Sequence, residues 1–555
     1  MTSSSSLSGP HGYITVRTKA KKKGDESPNV NTELVSYVEN RPYIPLLNVD
    51  PANLDTVINV ANIIVSSLFC NNNDNNNNGV GATNSNNDND REEEGKVTVI
   101  TGGLTNALFK VDLPNNNGTK YPSVLVRIFG ADGMINRDEE TTNFVRLCNM
   151  GSNNNVVHDQ LDVLGRFGNG RVETWIPNMR QAHYIHDFNI EGFELEVARQ
   201  LARLHYGFDV TNVAVVHDDN DDEGRQQQQQ KHQHEPTLWK VIKTWIDELS
   251  QQLSHEQFQK VASDSDTSSS TSSLMELFSF AIMNNDSCQK YSSNEQLQQQ
   301  GCTDNIITSL YNELEWLKQR VTTDFPNASI VFCHNDVNAA NILLDTTTAT
   351  VTSIDDNNDK EKDQSTRSSK GGYNKHNVCI IDYEYGSINY AMYDIANYIC
   401  EHCGGNDNGI PNYDLLPTND RIRKILIEYV NERDAILLLS SKEEEGGGCR
   451  KQNDVYATKD EEVTHLMSQV ELFQMASNLY WGVWGVLQAA GEVVATEEES
   501  DHDGALNFNN LEDAMSRLDG KIDLTRWDNL RYGSNRLKRY HVCKRSITSA
   551  NSINL

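Results

Sequence analysis

The sequence predicts an α+β fold of two lobes, with a small β-rich N-terminal lobe and a larger, mostly helical C-terminal lobe. Three observations support this. Short runs rich in β-branched residues come first, and longer runs with apolar residues at helical spacing follow. Two short apolar strands then interrupt the helices, each directly before a polar motif. Because polar low-complexity inserts occupy much of the 555 residues, we expect one sizeable enzyme rather than several domains.

The N-terminal lobe is predicted to span residues 31–180, after a disordered tail over residues 1–30. It carries an Asn-rich insert near residues 71–91. Its predicted elements, in chain order, are a helix over Pro51–Phe69, an antiparallel meander of Val97–Thr101, Ala107–Leu113 and Ser123–Phe129, a helix over Asn136–Leu147 and a strand over Gly170–Ile176.

The C-terminal lobe is predicted to span residues 181–545 and to be followed by a short tail, residues 546–555. Its two predicted strands are Ser329–Cys333 and Val378–Ile381. The predicted helices are Gly192–His205, Thr237–Leu249, Leu274–Met283, Ile306–Arg320, Ile422–Leu438 and Val463–Gly491. Low-complexity inserts lie near residues 218–235, 263–273, 355–375 and 442–460.

The composition argues against several classes of protein. Asp and Glu number 79 against 48 Lys and Arg, a net charge of -31, whereas binding to a phosphate backbone needs the opposite sign, so no nucleic-acid partner is expected. Ten scattered cysteines and the lack of an apolar leader favour the cytoplasm. The Ser-rich, basic start leaves an organelle transit peptide as the alternative. Leu472–Ala490 is uncharged but contains polar side chains, so we expect a buried helix and no transmembrane segment.

The motif His334–Asn341 follows one of the two short strands and carries the chemistry. Phosphoryl transfer needs a carboxylate that accepts the proton of an attacking hydroxyl, and Mg²⁺ needs oxygen ligands. Asp336 and Asn341 can supply both, and Asp382 follows the other strand, where a second metal carboxylate is expected. Each residue alone is explained as well by a turn or a helix cap. In this order, after two strands, they indicate a kinase site.

Two further segments give the sequence a family resemblance. Ile380–Tyr390 and Tyr393–Asn397 resemble the choline/ethanolamine kinase signature, in which I-D-[FY]-E-Y is followed by D-I-[GA]-N. The resemblance implies a protein-kinase-like (aminoglycoside-phosphotransferase-like) fold, ATP and Mg²⁺ as cofactors, and an amino alcohol as acceptor. It also implies that Asp336 is the catalytic base and that Asn341 and Asp382 bind the metal. The interior of the catalytic loop, residues 337–340, matches neither subfamily well.

The same resemblance implies a nucleotide site. The segment Ile100–Phe109 is similar to the family's phosphate-covering turn, although a Gly-Gly hairpin alone is more often an ordinary turn. Arg127 is expected to contact ATP with Glu140 as its carboxylate partner, the alternative being an exposed arginine on an edge strand. The segment Val172–Pro177 stands where the adenine-binding hinge is expected. The implied nucleotide-binding residues are Gly102, Gly103, Thr105, Asn106, Arg127, Glu140, Glu173 and Trp175.

Trp481 and Trp484 are three residues apart and therefore lie on one side of a predicted helix. Such a pair is usually core. The resemblance implies instead that the pair lines an ammonium pocket, where aromatic faces attract a cation. Further candidates for this substrate-binding pocket are Glu384, Tyr385, Glu401 and Tyr413.

The predicted activity is therefore ATP-dependent phosphorylation of ethanolamine to phosphoethanolamine, the first step of the CDP-ethanolamine route to phosphatidylethanolamine. Ethanolamine is favoured because the Gly-Leu-Thr-Asn turn, Val126–Gly130 and Asn136–Glu140 look more like the ethanolamine branch. The alternatives are a choline or dual-specificity kinase, an antibiotic or sugar kinase of the same wider fold, and a non-catalytic binding protein.

Overall fold

The computed structural model describes residues 13–16, 36–38, 41–70, 95–100, 106–114, 120–130, 135–154, 159–208, 235–255, 278, 282, 299–346, 377–405, 408–443, 456–495 and 527–553. Two regions can be distinguished within them. The first is built on one large sheet, and the second is dominated by helices.

The N-terminal region is an eight-stranded sheet in the order β1-β4-β5-β6-β8-β7-β3-β2. All its neighbouring strands are antiparallel except β3 and β7, which are parallel. The strands are β1 (Tyr13–Val16), β2 (Ser36–Val38), β3 (Arg41–Ile44), β4 (Lys96–Ile100), β5 (Asn106–Asp112), β6 (Ser123–Phe129), β7 (Val163–Phe167) and β8 (Gly170–Thr174). Helices α1 (Leu54–Cys70) and α2 (Arg137–Asn154) accompany the sheet.

The two faces of this sheet differ in polarity because side chains alternate along a strand. Val124 and Val126 on β6 are fully buried in a core that α1 closes with Val57, Val60 and Ile64. Leu125, which lies between them on β6, points to the other face. Arg127 lies on that opposite face, directly across from Arg171 on β8. The sheet therefore has one apolar face under α1 and one charged face.

The C-terminal region places short strands among long helices. Its strands are β9 (Met179–Gln181), β10 (Ile330–Cys333), β11 (Ile342–Asp345), β12 (Val378–Ile380) and β13 (Ser387–Tyr390). Its described helices are α3 (Glu191–Gly207), α4 (Thr237–Ser254), α5 (Gln299–Asp324), α6 (Ala391–Glu401), α7 (Asn419–Glu443), α8 (Lys459–Ala495) and α9 (Asn529–Ile553).

Helices α8 and α9 pack closely because glycines face each other at their contact. A Cβ atom on Gly485 of α8 would lie 2.8 Å from the Cα atom of Gly533 on α9, a distance that real Cβ atoms essentially never show. A larger residue here would force the helices apart. This contact fixes the part of α8 that carries Trp481 and Trp484, both of which are buried.

Most predicted elements are confirmed. The meander appears as β4, β5 and β6, the two short strands as β10 and β12, and the helices of the second region as α3, α4, α5, α7 and α8. Of the predicted helix Leu274–Met283, only Phe278 and Ile282 are among the described residues. The uncharged segment Leu472–Ala490 lies within α8 and is largely buried in the core.

Three boundaries need correction. The predicted disordered tail, residues 1–30, contains β1, which pairs with β4 because Tyr13–Val16 is a short β-forming run between polar flanks. The helix α9 continues to Ile553, through the predicted tail at residues 546–555. The predicted insert 442–460 is shorter than expected, because α7 continues to Glu443 and α8 begins at Lys459. The inserts at 71–91, 263–273 and 355–375 and nearly all of 218–235 lie outside the described residues.

Among the described residues, no helix combines the length and apolar character needed to cross a membrane.

Deleting residues 355–375 should leave the fold and the activity nearly unchanged. Leu344 on β11 pairs with Val378 on β12, and the Asn377 carbonyl accepts the Asp345 amide at 2.9 Å, so the ladder holds the two ends of the connection together. Closure entropy changes by only about 0.6 kcal/mol per halving of loop length. Thermal unfolding and turnover of the shortened chain check this, and loss of soluble expression would contradict it.

Candidate active site

The loop between β10 and β11 is fixed by one buried carboxylate. Asp394, near the start of α6, accepts the backbone amide of His334 on Oδ2 and that of Asn335 on Oδ1, each at 2.6 Å. His205 Nε2 lies 3.1 Å from Oδ2, and its Nδ1 lies 2.7 Å from the Tyr429 hydroxyl. Asp394 is fully buried, so these hydrogen bonds replace its lost hydration. The loop's backbone is thereby held at its first two residues.

Asn335 has a φ of 67°, in the left-handed region, which asparagine tolerates better than most residues. Its side chain helps to hold this conformation. The Asn335 amide nitrogen donates to the Tyr385 carbonyl at 2.8 Å, and its amide oxygen accepts from Asn389 at 2.7 Å. The loop thus turns sharply after β10 and directs Asp336 away from the strand.

The Asp336 carboxylate is oriented by two asparagines. Asn338 Nδ2 donates to Oδ1 at 2.9 Å, and Asn341 Nδ2 donates to Oδ2 at 2.8 Å. Asn338 Oδ1 in turn accepts the amides of Ala340 and Asn341, capping the single 3₁₀ turn that carries Asn341. The sequence analysis missed Asn338, although an asparagine before a short helical turn is a capping signal.

Burial raises the pKa of the Asp336 carboxyl well above its usual range, and the negative charges of Glu401, Glu384 and Asp382 act in the same direction. The hydrogen bond from Asn338 opposes them. A divalent cation bound nearby would also favour the carboxylate form, because it adds positive charge to the site.

Strand pairing brings Asn341 and Asp382 together. Ile342 on β11 pairs with Ile380 on β12, and the Ile381 amide donates to the Asn341 carbonyl at 2.9 Å. Asp382 follows with a φ of 66° and a side chain that is 21% exposed. The nitrogen of the Asn341 side chain faces Asp336, which leaves its amide oxygen for a ligand. A carboxylate and an amide oxygen are hard oxygen donors of the kind that Mg²⁺ prefers.

The predicted partner of Arg127 is corrected. Its Nε donates to Glu173 Oε1 at 2.9 Å and its Nη1 to Asp382 Oδ1 at 3.1 Å. Glu140 instead accepts from Arg171 at 2.6 Å and from Arg137 at 3.2 Å. Because Arg127 and Arg171 stand opposite each other, Glu173 is shared between them, with Arg171 Nε at 2.6 Å.

Glu173 is therefore a buried counter-ion as well as a residue close to the expected hinge. Burial alone would raise the pKa of its carboxyl, but the charges of Arg127 and Arg171 outweigh burial and lower it. The neighbouring Trp175 has the Lys110 ammonium 5.3 Å from its ring centroid. Trp175 also lines a cavity of about 420 Å³ together with Tyr121, Leu161 and other residues.

The phosphate-covering turn is only partly described. Gly102, Gly103 and Thr105 lie outside the described residues. Asn106 begins β5, and its Nδ2 donates to Glu384 Oε2 at 3.0 Å, so the start of this strand contacts the segment that carries Asp382.

The predicted ammonium pocket is an aromatic cluster. The Trp481 ring lies edge-on to Tyr385 at 5.3 Å and to Trp484 at 5.7 Å. Trp481 Nε1 donates to Asn397 Oδ1 at 2.8 Å, which fixes the plane of the indole. Both tryptophans are almost fully buried and are therefore part of the core. Trp481 is in addition in contact with Tyr385. The sequence analysis gave Asn397 no role.

Glu401 and Tyr413 contact α9 instead. Glu401 is buried in an ion pair with Arg536. The Tyr413 hydroxyl donates to the Asn535 carbonyl at 3.1 Å, and the Arg539 guanidinium lies 4.8 Å from the centre of its ring. The Glu401 carboxylate and the Tyr413 ring are thus each already in contact with an arginine of α9.

A second cluster, His205, Cys333 and Asp394, has ligand atoms close enough for a metal ion among the described residues. Its polar atoms already have partners, since Asp394 and His205 are hydrogen-bonded as above and Cys333 Sγ donates to the Tyr390 carbonyl at 3.4 Å. These contacts indicate a structural network.

The fold and site define a class of protein. A two-lobed α+β fold with an Asp-Asn loop and a following strand-Asp, the last of which contacts an arginine of the other lobe, is typical of kinase-like phosphotransferases. The model of the choline/ethanolamine kinase family matches residues 97–541. The chain therefore belongs to the choline/ethanolamine kinase family, and the kinase-like fold prediction is confirmed.

Relatives of the chain carry both substrate names. "Probable choline kinase 1" of Arabidopsis thaliana is 23% identical over 77% of this chain and 86% of its own length. "Probable ethanolamine kinase" of Nematostella vectensis is 30% identical over 38% of this chain and 43% of its own length. Among solved structures, a Plasmodium vivax ethanolamine kinase is similar at 19% identity, with a TM-score of 0.42 over 77% of this chain and 82% of that one.

Replacing Asp394 with Asn should destabilise the loop that carries Asp336. Asparagine offers one acceptor oxygen where the loop presents two amides, and its NH₂ group would face a donor, so we expect a loss of about 3 kcal/mol in the free energy of unfolding. Urea denaturation measures this, with the exposed Asp414→Asn as the control that should change stability little. Equal stability of both variants would show that the carboxylate does not hold the loop.

Proposed function

We propose that this chain transfers the γ-phosphate of ATP to the hydroxyl group of ethanolamine. The observation that carries the proposal is the Asp336 carboxylate, held by Asn338 and Asn341 beside Asp382 at the junction of the two regions. This arrangement would supply a proton acceptor and two metal-ligand oxygens from the loop before β11 and the segment after β12. The products are phosphoethanolamine and ADP.

In the proposed mechanism, Asp336 orients the substrate hydroxyl and accepts its proton. The hydroxyl oxygen forms a new bond to the γ-phosphorus while the bond from that phosphorus to the bridging oxygen of ADP breaks. Asn341 and Asp382 would hold Mg²⁺, which when bound neutralises phosphate charge. Arg127, which Glu173 holds in place, would turn its outer nitrogen from Asp382 to a phosphate oxygen.

The remaining nucleotide residues are assigned by family resemblance. Gly102, Gly103, Thr105 and Asn106 would cover the phosphates. Glu140 would act indirectly, through Arg171 and Arg137, and Trp175 would lie at the hinge beside the adenine.

The acceptor is proposed to bind at the Tyr385–Trp481 contact. A primary ammonium needs hydrogen-bond acceptors and a trimethylammonium needs aromatic faces, so this region, with Glu384 next to Tyr385, offers both. Ethanolamine is preferred on the resemblance of the N-terminal segments, and choline is the alternative because relatives bear both names. The reaction is proposed to take place in the cytoplasm, as the first step of phosphatidylethanolamine synthesis.

The deciding experiment is a comparison of kcat/KM for ethanolamine and choline at saturating Mg·ATP. We expect ethanolamine to be preferred by about tenfold or more, which corresponds to about 1.4 kcal/mol of differential transition-state binding. A preference for choline would overturn the substrate assignment. No transfer to either amino alcohol would favour the non-catalytic alternative.

Replacing Asp336 with Asn should lower turnover by about 10²- to 10⁴-fold, because a positioned base contributes roughly that factor. The fold should survive, since asparagine has nearly the same shape. Turnover with ethanolamine and the thermal midpoint are the measurements. A variant that turns over at the normal rate would remove Asp336 from the mechanism.

Replacing Trp481 with Leu distinguishes a substrate pocket from core packing. We expect the KM for the amino alcohol to rise by a factor corresponding to about 0.5 to 2 kcal/mol, the worth of a cation–π contact, while ATP binding holds. Trp484→Leu is the matched variant one helical turn further on. If both variants lose stability while KM stays constant, the two tryptophans serve only as core.

A further inference from the structure

Arg137, the first residue of α2, contacts both regions of the protein. Its guanidinium donates to the Gly130 carbonyl at 2.8 Å and to Glu140 at 3.2 Å, both in the N-terminal region. It also donates to Glu384 Oε2 at 3.1 Å, in the segment that follows β12. Arg137 therefore links the start of α2 to the segment that carries Asp382.

This link is the outer end of a continuous chain of charges. From Arg127 the chain runs through Glu173, Arg171 and Glu140 to Arg137 and then to the carboxylate of Glu384, with every contact between 2.6 and 3.2 Å. Because Arg127 also contacts Asp382, the chain closes into a ring through the short Asp382–Glu384 segment.

The Arg137–Glu384 pair is shielded from water. Their side chains are 12% and 8% exposed, so solvent screens their attraction only partly. A nearby pair is different: Arg166 contacts Asp138, the next residue on α2, but the Asp138 side chain is 85% exposed. Such an exposed pair contributes little. The first turn of α2 thus provides both a shielded contact and a matched exposed one.

A displacement of Glu384 must also move Asp382. The two residues are separated only by Tyr383, which is buried and whose carbonyl accepts the Gly386 amide at 2.8 Å in a tight turn. The direct contact of Arg127 with Asp382 cannot perform the same task during the reaction, since both groups are then needed by phosphate and metal. The Arg137 contact with Glu384 needs no such exchange.

We infer that Arg137 is a positioning residue that fixes the metal-binding loop against α2 through Glu384, and so sets how strongly Mg²⁺ increases the affinity for ATP. This inference rests on the proposed metal role of Asn341 and Asp382. It gives Glu384 a part in aligning the loop, in addition to its proposed place beside the substrate.

The test compares ATP affinity with and without the metal. Calorimetry gives the Kd of ATP in excess EDTA and in excess Mg²⁺ for the full chain, for Arg137→Gln and for the control Asp138→Asn. We expect the ratio of the two Kd values to shrink about tenfold in Arg137→Gln, as the loss of one charge-assisted contact implies, and to stay unchanged in Asp138→Asn. An unchanged ratio in Arg137→Gln, or no effect of Mg²⁺ on the native chain, overturns the inference.

A double variant separates alignment from simple loss of stability. If Arg137 acts through Glu384, then Arg137→Gln combined with Glu384→Gln should differ from the worse single variant by less than about threefold in that ratio. Independent, multiplying losses would overturn the inference. If Arg137→Gln does not fold, Arg137→Lys, which keeps the charge, replaces it. Its ratio of the two ATP Kd values should lie between that of the native chain and the tenfold smaller ratio expected for Arg137→Gln.

These binding measurements need no acceptor. A native chain that phosphorylates neither ethanolamine nor choline would end the proposed function, while the metal dependence of ATP binding would still decide the role of Arg137.

Discussion

The candidate active site depends on the hydrogen bonds that the buried Asp394 carboxylate accepts from the start of the loop that carries Asp336. A charge in the interior is costly unless hydrogen bonds compensate for its lost hydration, and here two backbone amides and His205 do so. A displacement of the loop would leave the buried carboxylate without these hydrogen bonds and would therefore cost much free energy. This single constraint ties β10, α3 and α6 together and gives Asp336 a fixed starting point.

From that point, the geometry is built by strand pairing. The β11–β12 ladder places Asn341 next to Asp382, although a long stretch of sequence separates them. The ladder is held by backbone pairing between β11 and β12 themselves. The connection between the two strands can therefore vary greatly in length and composition. A low-complexity insert between the segments that carry Asn341 and Asp382 is compatible with this candidate site for that reason.

Much of this fold could be predicted, because the spacing of apolar residues and the short motifs are local properties of the sequence. The meander, the long helices and the Asp336–Asn341 loop all follow from such local patterns. The short strands β7, β9, β11 and β13 were not predicted, since three to five residues carry little periodicity. The equally short β10 and β12 were found because each is an apolar run directly before a polar motif. Asn397 was missed for another reason: it accepts from Trp481, whose position relative to Asn397 is known only after folding. Asn338 makes only local contacts and was overlooked although it is a capping signal.

The ion-pair partner predicted for Arg127 was also wrong, because it depends on which strands pair and in what register. The family resemblance implied one arginine paired with one carboxylate on α2, yet the antiparallel register puts Arg171 directly opposite Arg127 on the charged face of the sheet. Two facing guanidinium groups repel each other, so both need a carboxylate between them, and Glu173 on β8 is the nearest that can reach both. Glu140 is then left to Arg171 and Arg137, and through Arg137 the compensation of charge extends to Glu384 in the other region. A like-charge pair set by strand register is thus sufficient to explain why these charges form one connected network across the junction.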